Sequence, residues 1–144
     1  MRKTDSFWDA SALVPLCVHQ AASLFGQAVL SAKSLTVWWS TPVEMLGAIR
    51  RLHRDGKVTQ QEFQTAIRRL AELREGWAEV PPTERVRERA EALTLRHALR
   101  TGDALQLAAA LVWARDQPLH RAFVCFDHRL GAAANKEGFQ VVSL

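Results

Sequence analysis

Short runs of strand character, separated by longer stretches of helical periodicity, leave few folds open to this chain of 144 residues. The runs are residues 4–9 (TDSFWD), 35–39 (LTVWW), 77–81 (WAEVP), 121–126 (RAFVCF) and the closing 139–144 (FQVVSL). Aromatic and β-branched residues concentrate in them. The segments between them carry apolar residues at the ~3.6-residue helical period, and strands that alternate with helices pair side by side in a parallel sheet. The expected fold class is α/β: a three-layer α/β/α sandwich whose mainly parallel central sheet has about four to five strands. No repeat, low-complexity tract or Pro/Gly/Ser linker divides the chain, so residues 1–144 are read as a single domain.

The helical segments carry their own punctuation. Asp9 or Ser11 can cap a first helix, and the pattern through Leu30 fits one helix or two. Thr41 as cap, with Pro42 at the first helical position, opens a helix that ends near Asp55-Gly56. Thr59 and Glu62 form a capping-box signature for a helix with Phe63, Ile67, Leu70 and Leu73 at helical spacing, and Gly76 stops it. The stretch 82–99 places Val86, Ala90, Leu93 and Leu95 or Ala98 on one face. Thr101-Gly102-Asp103 begins a helix that is almost wholly apolar from Ala104 to Ala114, which predicts burial against the sheet. A short helix over 127–135 and a stop at Gly138 lead to the last strand.

Four carboxylates, Asp9, Glu44, Asp103 and Asp127, lie at or just after apolar runs, where charge is least expected. Each has a structural explanation as a helix cap or first-turn acid, and Thr41-Pro42-Val43-Glu44 is a formal capping box. Their sequence positions also place all four at the carboxyl edge of a parallel sheet, where such folds bind ligands. Like charges at ~4 Å repel by about 4 kcal/mol per pair at an effective dielectric near 20. A hard divalent cation resolves that conflict, and oxygen-only ligation suits Mg²⁺ or Mn²⁺ better than Zn²⁺. Phosphoryl transfer is the natural use of such a site.

Composition narrows the remaining classes. With 48% hydrophobic and 24% charged residues the chain suits a globular domain, and the net charge of +4 persists despite the acids, so the rest of the surface is basic. Such a surface fits a polyanionic partner or plain solubility. The two cysteines, Cys17 and Cys125, sit in apolar runs without CxxC spacing and read as small core residues in a reduced, cytoplasmic setting. No apolar run approaches the ~20 residues of a membrane span. The phosphate-binding glycine motifs, GxSxG and HExxH are all missing from the sequence.

Taken together, Asp9 and Ser11 in D-x-S after the first strand, Glu44 after the second, LRTGDALQLAAAL around Asp103, and the strand-ending Asp127 with its D-x-x-L resemble a PIN domain. The resemblance covers nearly the whole chain and is closest to VapC-type toxins of bacterial toxin–antitoxin pairs. It implies a metal-dependent endoribonuclease in which Asp9, Glu44, Asp103 and Asp127 hold Mg²⁺ or Mn²⁺ and Ser11 donates a hydrogen bond from behind them. A metal-activated water would attack the phosphodiester. The resemblance also implies a homodimer and a small antitoxin that wraps the helical hairpin over 42–75 and inserts a basic side chain among the acids. The chain departs from the pattern at Cys125, where the family often has Ser or Thr two residues before the last acid, and this bears on how Asp127 is oriented.

Arg50, Arg51, Arg54 and Lys57, then Arg68, Arg69 and Arg74, fall on two consecutive helices and could guide phosphates toward the acids; a solvated face is the plainer reading. Arg50, Arg51, Arg54 and Arg100 are the RNA-binding candidates. His53, His97 and His128 could face RNA, although His128 also reads as a surface residue, while His19 and His120 give no signal. Trp38 and Trp39 would face opposite ways in a strand, so one could be core while the other stacks on RNA or packs on a partner, and packing is preferred for both. The rival function is a non-catalytic PIN-like module that binds RNA or protein. A nuclease for structured DNA would be expected to carry long insertions that this chain lacks.

Overall fold

The computed structural model describes residues 5–143. Among them five strands, β1 (Ser6–Trp8), β2 (Leu35–Trp38), β3 (Ala78–Val80), β4 (Ala122–Val124) and β5 (Gln140–Val142), form one sheet in the order β3-β2-β1-β4-β5. Every neighbouring pair is parallel, with Phe7 of β1 opposite Thr36 of β2 and Phe123 of β4. Seven α-helices connect them: α1 (Ala10–Val18), α2 (Ala22–Leu30), α3 (Thr41–Arg54), α4 (Gln60–Gly76), α5 (Glu84–Arg96), α6 (Thr101–Trp113) and α7 (His128–Glu137). The outer ends of the first and last expected strands, residues 4 and 144, lie outside the described residues.

Alternation along the strands sends side chains into two separate cores, which makes the three layers of the expected α/β/α sandwich. Phe7, Trp38, Val80 and Phe123 pack with α5, α6 and α7 on one face. Leu35 and Val37 pack with α1, α3 and α4 on the other. Phe7 stacks on Phe123 with ring centroids 5.6 Å apart. Helix α6 is the most deeply set, with Ala104 and every residue from Gln106 to Leu111 buried, as its unbroken apolar run requires. No helix among the described residues is long and apolar enough to cross a membrane.

Chain direction at the centre of the sheet creates a crevice. The chain leaves β1 into α1 on one face and leaves β4 into α7 on the other, so the carboxyl ends of these neighbouring strands open between diverging helices. This is the topological switch point of an open parallel sheet.

Local signals hold where the partners are local. Thr59 and Glu62 form both bonds of the capping box, at 3.1 and 2.8 Å, and Gly138 ends α7 with φ of 109°. Two expectations are corrected, for Thr41 and for the end of the α5 face. Thr41 is not a cap: Ser40 precedes the first helical residue, Thr41 is buried, and the expected capping box with Glu44 does not form. Gly76 is the last residue of α4, so the helix stops there as expected, and its lack of a side chain also serves packing, since a Cβ there would lie 2.8 Å from the Ala32 Cβ. The apolar face of α5 stops at Leu93; Leu95 and Ala98 are exposed.

The two kinds of glycine give opposite expected outcomes. Gly76→Ala forces the 3₁₀ turn at Ala32–Ser34 away from α4 and is expected to cost about 1–3 kcal/mol. Gly26→Ala, within α2 and open to space, is expected to add about 0.5–1 kcal/mol. Urea unfolding midpoints of the two variants against the parent measure both.

Candidate functional site

The turns after β1 and β4 are bonded to each other. The Asp9 N–H donates to Val124 O at 2.9 Å, and the Asp9 carboxylate caps α1 by accepting from the Ser11 N–H at 3.1 Å. Ser11 Oγ in turn accepts from the Phe126 N–H at 3.0 Å, joining the first turn to the last. Asp127, the next residue, caps α7 by accepting from the Leu130 N–H at 2.9 Å. Cys125 is buried, and its thiol donates to the main-chain oxygen of Asp127 over 3.5 Å. The capping bond, rather than residue 125, therefore orients the Asp127 carboxylate.

Glu44 is held by side chains instead. In the first turn of α3, it accepts from Ser40 Oγ at 3.2 Å and from Gln106 Nε2 at 2.5 Å. The same Gln106 nitrogen donates to Thr41 Oγ1 at 3.1 Å. Thr41 is thus used as an acceptor in the interior, which explains why it does not cap. Gln106 is itself fully buried, and its Oε1 has no hydrogen-bond partner among the described residues, so the amide acts here purely as a donor.

Asp103 enters from the first turn of α6, three residues before Gln106 and so on the same face of the helix. No hydrogen bond holds its carboxylate among the described residues. The adjoining Gly102 packs so that a Cβ would lie 3.6 Å from Glu44 Oε1.

Asp9, Glu44, Asp103 and Asp127 all line one cleft of about 480 Å³, with Ser11, Arg51 and Arg100 also on its walls. A neighbouring hollow of about 520 Å³ shares Arg100, Asp103 and Asp127 and adds Phe126, His128 and Arg129. Burial raises the Asp9 carboxyl above its ordinary value, and Asp127 adds to the rise while the bonds from Ser11 oppose it. Burial likewise raises Glu44, opposed by Gln106 and reinforced by Asp9 and Asp103. Asp103 rises through burial and then through Asp127 and Asp9, with Arg100 and Arg129 pulling the other way. Burial and the same acids push the Cys125 thiol up to about 12. Among the described residues, no three acidic, histidine or cysteine side chains close on a single point that could hold a metal ion.

Of the four RNA-binding candidates, Arg51 and Arg100 reach the cleft, whereas Arg50 and Arg54 are exposed elsewhere and Arg54 lies 3.6 Å from Asp55. Arg69 is taken up structurally, donating to Gln20 O at 2.8 Å and lying over the Phe25 ring. His53 stacks on Phe63, and His97 meets Glu137 at 2.7 Å, so neither is presented to a ligand. Trp38 is buried in the core, while Trp39 is 55% exposed. Sequence reasoning missed Gln106 and Ser40. The signal for Gln106 was present, as a single amide within an otherwise apolar helix at three-residue spacing from Asp103.

No family model and no curated protein matches the sequence. The fold is similar to that in the crystal structure of PAE2754 from Pyrobaculum aerophilum, with a TM-score of 0.71 over 96% of this chain and 90% of that one, at 18% identity. At that identity the likeness is one of fold.

The raised acids have a thermodynamic consequence. Asp9, Glu44 and Asp103 hold protons more tightly folded than unfolded, so the stability from this cluster is present below the unfolded values of 3.8 and 4.5 and is lost as pH climbs through the raised folded values. Asp103→Asn removes one charge without removing a hydrogen bond. It is expected to raise the metal-free melting temperature at pH 7 by about 2–4 °C, for roughly 1 kcal/mol of solvent-screened repulsion. At pH 4 the gain should shrink toward zero, which thermal melts at the two pH values check.

Proposed function

We propose that this chain is a metal-dependent endoribonuclease of the PIN type, similar to VapC toxins, that hydrolyses RNA phosphodiesters in the cytoplasm. The carrying observation is the gathering of Asp9, Glu44, Asp103 and Asp127 from four separate elements onto one cleft. Capping accounts for Asp9 and Asp127 singly. It does not account for Glu44 and Asp103, whose carboxylates cap no helix and are raised by burial and by the neighbouring acids.

The donor set fits Mg²⁺ or Mn²⁺. It is oxygen-only and anionic, the neighbouring thiol is buried and protonated, and three of the four acids are strained by burial and mutual charge that a hard dication would offset. Asp9, Glu44, Asp103 and Asp127 would hold the ion, and side-chain rotation would complete the set, with Asp103 the least tethered. When bound, the ion supplies water of lowered pKa and positive charge for the leaving oxygen. The protein's own part is orientation. Gln106 bonds the Glu44 carboxyl and opposes the rise that burial causes, Ser11 fixes Asp9 beside the β4 turn, and Arg51 and Arg100 attract phosphate at the rim. Neither neighbouring hydroxyl nor thiol is placed as a nucleophile, since Ser11 Oγ is engaged by Phe126 and Cys125 is buried.

A protein partner belongs to the same reading. Val43 and Leu46 on α3, with Trp39 just before it, form an exposed apolar stripe, which supports a second copy or an antitoxin on the α3–α4 hairpin. The commitment of the Asp127 carboxylate to Leu130 favours the alternative, a non-catalytic PIN-like module that binds RNA or protein.

Purified protein is expected to cleave single-stranded RNA in Mg²⁺ or Mn²⁺, to stop in EDTA, and to prefer RNA over DNA in competition. Asp9→Ala and Asp103→Asn should each lower the rate about 100-fold or more. Full metal-dependent cleavage by both variants would place the reaction elsewhere, and RNA binding with no cleavage under any metal would leave the module. Gln106→Leu, which removes the amide donor behind Glu44, is expected to lower cleavage by about 10–100-fold while the protein still folds, as circular dichroism would show.

A further inference from the structure

We propose that the wall beyond Asp103, running from Arg100 past Phe126 and Arg129 to Lys136, is a binding track for an unpaired RNA strand that leads into the carboxylate cleft. The destination of the strand rests on the nuclease reading; the track itself rests on shape and charge. The carboxylate cleft shares Arg100, Asp103 and Asp127 with the neighbouring hollow. That hollow shares Arg129 with a third, of about 240 Å³, between the end of α5 and α7, which is lined by Lys136. The three hollows adjoin in series through these shared wall residues.

Charge along this series is unevenly neutralised. Arg96 and His97 are both occupied by Glu137, at 2.9 and 2.7 Å. Arg100, Arg129 and Lys136 are exposed and make no ion pair among the described residues. Arg129 and Lys136 stand two turns apart on α7, a rise of about 10 Å, which spaces cations along a path rather than at a point. Arg100 and Arg129 act on Asp103 through space, so the path ends at the acids. On the α3–α4 hairpin Arg51 also lines the carboxylate cleft, while on α4 Arg69 is taken up by main-chain oxygens and Arg68 donates to Thr65.

Phe126 sets the class of ligand. Phe126 is 36% exposed and lines a polar hollow, and its backbone N–H is pinned by Ser11. Burial does not require an aromatic ring there, whereas an unstacked base gains from one, and duplex RNA presents none.

Fluorescence anisotropy with a short labelled single-stranded RNA and the full chain in EDTA tests the track. Arg129→Glu with Lys136→Glu is expected to weaken binding at least tenfold and to lower the salt slope by about 1 for each site. Lys136→Glu alone, remote from the carboxylates, should give a smaller loss in the same direction. Phe126→Ala should cost about tenfold, and Phe126→Trp should restore it. Arg68→Glu with Arg74→Glu on α4 should change binding by less than about twofold. Equal loss from the α4 pair, or duplex binding as tight as single-strand binding with no effect of Phe126→Ala, overturns the track. Polyglutamate binding that depends on Arg129 and Lys136 but not on Phe126 would assign the wall to an acidic protein segment instead. Track-dependent binding without cleavage in any metal would keep the track and sink the nuclease reading. Metal-dependent cleavage whose KM for long RNA is unmoved by the α7 substitutions would do the reverse.

Discussion

The pairing of β1 with β4 at the centre of the sheet is the constraint on which the rest depends. It is covered on one face by Phe7 stacked on Phe123 and is extended past the last ladder residues by the bonds from Asp9 N–H to Val124 and from Phe126 N–H to Ser11. Because the pairing is parallel, both strands deliver their carboxyl ends to the same edge, and because the following helices take opposite faces, the edge stays open. Asp9 and Asp127 are side by side for no other reason. A register shift of one residue would turn Phe7 and Phe123 out of their core and part the two acids together, so core packing and site geometry are selected by the same event.

The cluster that this pairing begins is unfavourable as a set of charges, and the fold reduces the cost without removing it. Four helices, α1, α3, α6 and α7, begin around the cleft, and the positive ends of their dipoles face the acids, each worth roughly 0.3–1 kcal/mol near a surface. Arg100 and Arg129 add positive potential at Asp103. Burial still wins at Asp9, Glu44 and Asp103, all of which bind protons more tightly than free carboxyls. A structural ion network ends differently: Asp116, gripped by Arg89 and Arg85, is driven down to about 2. The contrast between these two groups of acids on one chain is what separates a site from a staple.

How much of this was legible in the sequence follows from the reach of each signal. The strands and most helix ends could be read because alternation, the helical period and caps such as Thr59 with Glu62 act over a few residues. The four acids could be placed at one edge because a parallel sheet sends every strand-to-helix turn there. Thr41 misled because its partner Gln106 lies 65 residues away, and an interior acceptor cannot be told from a cap by local spacing. Gly76 ends α4 as expected, but its close approach to Ala32, far earlier in the chain, could not be read from local spacing. The arginines of the hairpin could be counted but not sorted, because the main-chain oxygens that consume Arg69 come from the end of α1 and the turn after it.

The acids fall into two pairs by how they are fixed, and the pairing carries a functional argument. Asp9 and Asp127 are set by backbone bonds at helix caps, so their places follow the sheet and change only if it does. Glu44 and Asp103 ride on helices from opposite layers, α3 and α6, and are related to each other through one buried amide, Gln106, and the close approach of Gly102. A hydrogen bond of 2.5 Å from a fully buried donor opposes the rise that burial and the other carboxylates impose on Glu44. Stability alone would be better served by an apolar residue at both positions. Two carboxyls brought from opposite layers to the open edge of the sheet, each binding its proton more tightly than a free acid, form an arrangement that a capping role does not require.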